Sequence, residues 1–128
     1  MFKKSMLLSI QSVLALLVIL VILAASLMPT WAAEQEPSVA WEKIDRGVML
    51  IDVRTAEEFA EGHIDGAMNI PFNNIVPELA KLNITKDTEI VLYCRSGNRS
   101  DMAQKSLVKQ GYSNTYNAGG FNSLISAR

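Results

Sequence analysis

Residues 89–100 read EIVLYCRSGNRS, and this stretch decides the fold. Its apolar, β-branched part at 90–93 predicts a short buried strand. The strand ends at Cys94, the only cysteine of the chain, and a polar loop with one glycine and two arginines follows. Over residues 100–110 the apolar side chains recur at helical spacing, and Gly111 predicts the end of that helix. The order strand, loop, helix places Cys94 at the carboxyl end of a strand, where open α/β sheets bind ligands.

This position favours a reactive thiolate at Cys94. A thiol is a nucleophile only when it is ionised, and an ordinary pKa of about 8.5 leaves little thiolate at neutral pH. Loop amides, the positive end of the following helix and nearby guanidinium groups would stabilise the thiolate and hold an anion against it. The alternative is a buried cysteine that simply ends a core strand. Two arginines, a serine and an asparagine make a poor lining for such an apolar environment, so we predict a thiolate that attacks a small anion.

The first 32 residues have the layout of an export signal. Two lysines precede an uninterrupted apolar run at 13–25, and the junction at 30–33 reads TWAA. This order is typical of a secretory signal peptide cleaved after Ala32. Residues 7–28 are also long enough to span a bilayer, so an uncleaved anchor is the alternative. We therefore predict a periplasmic protein or, in the alternative, one anchored to the inner membrane and facing the periplasm.

The remainder of the chain has the size of one small domain, with residues 33–38 as a polar linker and 39–128 as the domain. The 128-residue chain has a net charge of −1 and no basic run, which argues against nucleic acid as a partner. One cysteine excludes an internal disulfide, and a free thiol in an oxidising compartment is better explained by reactivity than by packing. The only histidine, His63, predicts a backbone hydrogen bond at a turn and no metal site. We expect a monomer that contacts a membrane only through its N-terminal segment.

Strands alternate with helices along the predicted domain. Thr55 and Glu58 fit a capping box at the start of one helix. Besides the central strand and helix, the patterns predict helices at 39–46, 55–61 and 72–82, strands at 48–51, within 63–71 and at 112–117, and a last helical segment from 119 to 128. This alternation implies a small three-layer α/β domain with a parallel sheet flanked by helices.

Four blocks of the sequence, in this order, resemble the rhodanese domain family. They are LIDVR at 50–54 with EEF at 57–59, GHIDGAMNIP at 62–71, YCRSGNRS at 93–100 and NAGG at 117–120. With its export signal and single short domain, the chain resembles the exported, phage-shock-type thiosulfate sulfurtransferases of that family. The resemblance implies a rhodanese-like fold for the domain.

The resemblance also implies a sulfurtransferase with Cys94 as its nucleophile. The Cys94 thiolate would attack the outer sulfur of thiosulfate, release sulfite and hold the sulfur as a persulfide, which cyanide or a thiol would then take. No cofactor is implied. The residues implied in substrate binding are six of the loop and one at the end of another strand: Arg95, Ser96, Gly97, Asn98, Arg99, Ser100 and Arg54.

Each of the three arginines has two interpretations. Arg99 precedes the helix and is expected nearest to the anion, with a smaller contribution from Arg95; the alternative for both is a solvated loop side chain. Arg54 would point at the same loop, or it would form a structural salt bridge to Asp52 or Glu58. Because thiosulfate is a dianion, we predict that Arg99→Ala raises its KM on the order of tenfold or more.

Two other functions stay open. Phosphatases and arsenate reductases use a related loop in which five residues separate the cysteine from an arginine, so that the guanidinium reaches two oxygens of the oxyanion. Here four residues separate Cys94 from Arg99, and the next position is Ser100, which argues against that chemistry. A persulfide carrier or binding module without turnover would need the same cysteine, and the sequence does not distinguish it from an enzyme.

Overall fold

The computed structural model describes residues 2–26 and 34–128 of the chain. Contacts within it divide the chain into two units, Met1–Ala32 and Ala33–Arg128. Each unit has its own architecture.

The first unit contains a long apolar helix, α1 (Phe2–Ser26). Its segment Lys3–Leu23 has a mean hydropathy of 2.8 and is long and apolar enough to cross a membrane. The side chains of this segment are exposed. A signal peptide and a membrane anchor both have this length and composition. The predicted cleavage site after Ala32 lies outside the described residues.

The second unit is built on a parallel sheet with β3 in its interior. The strands are β1 (Met49–Asp52), β2 (Met68–Asn69), β3 (Ile90–Cys94) and β4 (Thr115–Gly120), and their order in the sheet is β2–β1–β3–β4. Each neighbouring pair is parallel. All five residues of β3 are buried, as the uninterrupted apolar run predicts for a strand covered on both faces.

Helices cover both faces of this sheet. They are α2 (Pro37–Asp45), α3 (Ala56–Glu61), α4 (Ile75–Lys81), α5 (Asn98–Lys109) and α6 (Phe121–Ser126). On one face, Leu92 and Cys94 of β3 pack in a cluster with residues of α4 and α5. On the other face, Val91 and Tyr93 pack with residues of α2 and α6. Because successive side chains of a strand point to opposite faces, β3 contributes to both cores, and the predicted three-layer α/β fold is confirmed.

Several element boundaries differ from the sequence prediction. Helix α5 begins at Asn98 rather than at residue 100, so half of the predicted loop is the first turn of the helix. Strand β4 runs over Thr115–Gly120 rather than 112–117, because its pairing with β3 begins opposite Ile90. The predicted helix at 72–82 is a short 3-10 turn (Phe72–Asn74) followed by α4. Tertiary pairing, which a local pattern does not contain, moves these boundaries.

Other local predictions are confirmed. The capping box of α3 forms, with the Thr55 hydroxyl accepting from the Glu58 amide and the Glu58 carboxylate accepting from the Thr55 amide. His63 Nδ1 hydrogen-bonds to the Phe59 carbonyl at 2.8 Å, and the two rings stack with centroids 3.6 Å apart. The His63 side chain therefore has the structural role that the sequence predicts.

The segment before α2, predicted as part of a linker, is bound to the domain at residues 34–36. The Gln35 amide donates to the Asn117 carbonyl of β4 at 2.8 Å. The Gln104 Nε2 of α5 donates to the Glu34 carboxylate at 2.6 Å. These contacts add the segment to the surface of the domain on the side of β4 and α5.

Candidate active site

Cys94 ends β3 with its side chain fully buried at 0% exposure. Its Sγ accepts a hydrogen bond from the Gly97 amide at 3.0 Å, and the Ser100 hydroxyl oxygen lies 3.5 Å away. Burial raises the pKa of the Cys94 thiol, but hydrogen bonds from the Ser100 hydroxyl and from loop amides outweigh burial, so this pKa is lowered overall. The sulfur therefore lies in a dry site that nevertheless favours its thiolate.

Two glycines allow the backbone to close tightly around this sulfur. Gly97 has φ +97°, in the left-handed region that favours glycine, and it turns the chain from β3 into α5. Gly120 of β4 lies so close to the loop that a Cβ there would stand 2.7 Å from the Arg95 carbonyl oxygen. Glycine is thus required at residue 120 of the NAGG block, because β4 passes directly against the cysteine loop there.

Asn117, also in the NAGG block, binds the cysteine loop from β4. Its Oδ1 lies 2.7 Å from the Ser100 hydroxyl and accepts from the Gly119 amide at 3.0 Å. Its Nδ2 donates to the Gly97 carbonyl at 3.2 Å. The sequence analysis does not place Asn117 in the site. The signal that could have found it is a polar side chain within an otherwise apolar and glycine-rich strand.

The Gln35 side chain packs on the outside of the same loop. A Cβ on Gly97 would stand 3.2 Å from the Gln35 Oε1, and a Cβ on Gly119 would stand 3.3 Å from the Gln35 Cβ. Gln35 itself has φ +69°, a strained conformation for a residue with a side chain. Nothing in the local sequence marks this contact, because it joins residues far apart in the chain.

Arg54 forms a structural ion pair with Asp52, one of the two partners that the sequence analysis allows. Its Nε and a terminal nitrogen donate to the Asp52 carboxylate at 2.6–3.0 Å, and the guanidinium also donates to the Gly62 carbonyl at 2.7 Å. The guanidinium carbon lies 4.5 Å from the centroid of the Phe121 ring. Arg54 is therefore held rigidly at the carboxyl end of β1.

Arg99 is partly buried and is paired with a carboxylate. Two of its nitrogens donate to the two oxygens of Glu58 at 2.7 and 3.0 Å, which links α5 to α3. The hydrogen bond from Arg99 is the main cause that lowers the pKa of Glu58 to about 2. The pair is thus charged throughout the physiological range.

A pocket of about 290 Å³ opens beside the loop. Its lining combines charged groups with one aromatic ring: Arg54, Glu58, Glu61, Gly62, Arg95, Phe121 and Asn122. Arg95 is exposed, and within residues 34–128 its side chain makes no ion pair or hydrogen bond. Of the three predicted arginines, Arg95 is therefore the one whose charge is free to meet an anion in this pocket.

A parallel α/β domain with a cysteine of lowered pKa at the carboxyl edge of its sheet has the features that covalent catalysis by a thiolate requires. Residues 36–127 match the rhodanese-like domain, and the chain belongs to that family. It is 34% identical over 74 residues to the thiosulfate sulfurtransferase PspE of Escherichia coli K12, covering 58% of this chain and 71% of PspE. It is 41% identical over 73 residues to a sulfurtransferase of Allochromatium vinosum, covering 57% and 66% of the two chains.

A solved structure described as a rhodanese with anions from E. coli is similar in both sequence and fold. Its TM-score is 0.55 and its identity 34%, over 58% of this chain and 87% of that chain. The family and the fold expected from the resemblance are thereby confirmed.

Proposed function

We propose that the protein is a sulfurtransferase that moves the sulfane sulfur of thiosulfate, through a persulfide on Cys94, to cyanide or a thiol. The observation that carries the proposal is the Cys94 sulfur, buried yet surrounded by hydrogen-bond donors that lower its pKa. Similarity to chains named as sulfurtransferases supports the reaction class. Thiosulfate as the donor is proposed from PspE, whose name includes that substrate.

The reaction consists of two displacements at sulfur. In the first, the Cys94 thiolate attacks the outer sulfur of thiosulfate, the S–S bond of thiosulfate breaks, and sulfite leaves with the bonding electron pair. In the second, cyanide or an acceptor thiolate attacks the outer sulfur of the persulfide, and Cys94 leaves as a thiolate. Every bond that forms is matched by one that breaks, so no external oxidant or reductant takes part.

The loop of residues 95–100 would serve both displacements. Its amides stabilise negative charge at the Cys94 sulfur, whether that charge is on the thiolate or on the persulfide. Arg95 would bind the sulfonate end of thiosulfate in the neighbouring pocket. Arg54 and Arg99 would shape the pocket wall through their ion pairs. In this proposal only one of the predicted arginines contacts the substrate directly.

The apolar helix α1 would deliver the domain to the periplasm, as a cleaved signal peptide or as an anchor. The length and hydropathy of Lys3–Leu23 support this step. The substrates would then be small sulfur compounds of that compartment, and the domain would act as a monomer. N-terminal sequencing of protein from the soluble periplasmic fraction tests the cleaved form, which should begin at residue 33 or 34; full-length protein in the membrane pellet would indicate the anchor.

Sulfite and thiocyanate formation from thiosulfate and cyanide tests the activity, with an aryl phosphate as a parallel substrate. We expect turnover of thiosulfate and none of the aryl phosphate. Cys94→Ser should lose all turnover while the circular dichroism of the variant stays that of the wild-type protein. Mass spectrometry should find the mass of one extra sulfur atom on the wild-type protein after thiosulfate treatment. A stable persulfide without turnover would identify a carrier, and hydrolysis of the aryl phosphate would identify a phosphatase; either result contradicts the proposal.

A further inference from the structure

Asn117 is the buried polar side chain that joins β4 to the cysteine loop. It is 1% exposed, and each polar atom of its carboxamide has a partner within hydrogen-bond distance. A buried carboxamide whose oxygen and nitrogen both have partners is held in one orientation. That orientation determines which Asn117 atom faces the Ser100 hydroxyl, and thereby which hydrogen bond this hydroxyl can offer to Cys94.

The Gly119 amide determines which way the Asn117 carboxamide points. A backbone N–H can donate only to the carboxamide oxygen, so the atom 3.0 Å from the Gly119 nitrogen is Oδ1. The Nδ2 on the other side donates to the Gly97 carbonyl at 3.2 Å, which agrees with this assignment. The Ser100 hydroxyl is 2.7 Å from an acceptor and must therefore be the donor in that contact.

Ser100 has one hydroxyl proton and three acceptors within reach. They are the Asn117 Oδ1 at 2.7 Å, the Gly97 carbonyl at 3.0 Å and the Cys94 Sγ at 3.5 Å. A neutral thiol is a weak acceptor, whereas a thiolate accepts strongly because it is charged. Ionisation of Cys94 therefore draws the hydroxyl toward sulfur. Asn117 Oδ1 then still holds the Gly119 amide, so no buried acceptor is left unpaired.

We propose that Asn117 is a positioning residue that competes with the Cys94 sulfur for the Ser100 hydroxyl. The Ser100 hydroxyl donates to Asn117 Oδ1 while the sulfur is neutral, and it donates to the sulfur when the sulfur is a thiolate. The proton stays bonded to the Ser100 oxygen throughout, so only the hydrogen bond moves. The inference rests on the proposed role of Cys94 as the nucleophile. It gives Asn117 an effect on Cys94 that a purely structural strand residue would not have.

Charged groups stand on several elements around Cys94, and the test leaves all of them in place. They are Asp52 at the end of β1, Arg54 after it, Glu58 on α3, Arg95 in the loop, Arg99, Asp101 and Lys105 on α5, Glu78 and Lys81 on α4, and Glu34 before α2. Three pairs among them are ion pairs. A change in Cys94 ionisation that depends on both Asn117 and Ser100 is therefore not explained by altered charge.

The test is a double-mutant cycle on the full chain in detergent, with Asn117→Ala, Ser100→Ala and the double variant. The readout is the midpoint of the pH–rate curve for alkylation by iodoacetamide, which reports on Cys94 because it is the only cysteine. Removing the competing acceptor with Asn117→Ala should lower the pKa of Cys94. At pH values below the midpoint, the thiolate fraction should then rise about threefold to tenfold, which corresponds to the free energy of one neutral hydrogen bond. In the Ser100→Ala background, Asn117→Ala should cause no such decrease.

An equal shift in both backgrounds, or a rise in the Cys94 pKa on Asn117→Ala, would overturn the inference. A loosened loop would also lower the pKa of Cys94, because hydration relieves the desolvation of the buried sulfur. That decrease would occur with and without the Ser100 hydroxyl, so the difference between the two backgrounds separates it from the competition. If Asn117→Ala does not fold, Asn117→Asp replaces it at the same size. Its carboxylate competes more strongly for the hydroxyl, so the pKa of Cys94 should rise, and rise more with Ser100 than without it; equal rises would contradict the inference. Alkylation needs no turnover, so failure of sulfur transfer is seen separately.

Discussion

At the scale of single residues, the charge around Cys94 is divided between paired and unpaired groups. Two nitrogens of Arg99 donate to the Glu58 carboxylate, whereas Arg95 is exposed at the pocket and makes no ion pair among residues 34–128. A paired guanidinium attracts a substrate anion less than a free one, because its partner cancels most of its field. We therefore expect any effect of Arg99→Ala on the KM for thiosulfate to come from the loss of charge neutralisation at Glu58 rather than from the loss of a direct contact with the anion.

Removing Arg99 would leave the Glu58 carboxylate unpaired at the pocket where thiosulfate, the proposed substrate and a dianion, would bind. We expect Arg99→Ala to raise the KM for thiosulfate tenfold or more, since a charge-assisted contact is worth about 1.5–3 kcal/mol. Steady-state kinetics of Arg99→Ala with and without Glu58→Gln separates the two reasons. Glutamine retains the capping box, so α3 keeps its start. Recovery of KM in the double variant supports neutralisation, and persistent loss shows direct contact of Arg99 with the anion.

The lowered pKa of Cys94 predicts how activity depends on pH. Only the thiolate attacks, so kcat/KM should be flat above this pKa and fall about tenfold per pH unit below it. Because loop donors lower the pKa, the fall should lie at lower pH than for an unperturbed thiol. Ser100→Ala removes one donor and should move the fall to higher pH. An unmoved profile in Ser100→Ala would show that the backbone amides alone set the pKa.

At the scale of elements, the site is the place where β3, α5 and β4 meet. The uninterrupted apolar run predicts β3 because a doubly covered strand has no polar face, and the capping box predicts α3 because its two hydrogen bonds are local. The cysteine, the loop and the family resemblance were likewise evident from neighbouring residues. The contacts of Asn117 and Gln35 were not evident from the sequence, because each joins distant parts of the chain.

The close passage of β4 predicts a specific effect of Gly120→Ala. The added Cβ would meet the Arg95 carbonyl at 2.7 Å, and a backbone atom cannot move aside without shifting the loop. We expect thiosulfate turnover to fall at least tenfold at temperatures where the variant is still folded. Gly66→Ala is the control: it strains a residue at φ +83° but has no atom within 4 Å of its Cβ. Equal turnover in the two variants would show that the close approach is unimportant.

At the scale of the whole molecule, the predicted cleavage site and the bound segment at 34–36 are only a few residues apart. A chain cleaved after Ala32 keeps this segment, and with it the hydrogen bonds to β4 and α5. The family match begins at residue 36, so most of the segment lies outside the shared domain. The segment is thus an addition to the fold that the exported form would retain.

We expect a chain that starts at residue 37 to be less stable than one that starts at residue 33. Loss of the hydrogen bonds should cost on the order of 1–3 kcal/mol, and each kcal/mol lowers Tm by about 4–8 °C in a domain of this size. Calorimetry of both chains measures the difference. Gln35→Gly in the longer chain is the matched control, since it keeps the backbone contacts while removing the side chain on the loop and the strain at φ +69°. Identical Tm values for the two chains would contradict the prediction.

The complete burial of Cys94 determines which molecules could exchange sulfur with it. Forming a disulfide with another protein requires the two sulfurs to approach in line with the bond being broken, and a folded partner cannot bring its thiol through the wall of this domain. The pocket touches the loop at Arg95, and its volume of about 290 Å³ would admit a small anion or a slender thiol to that point. Under the proposed function, the burial of Cys94 would thus select substrates by size, and it would protect an unpaired cysteine of an exported protein from capture by dithiol oxidases.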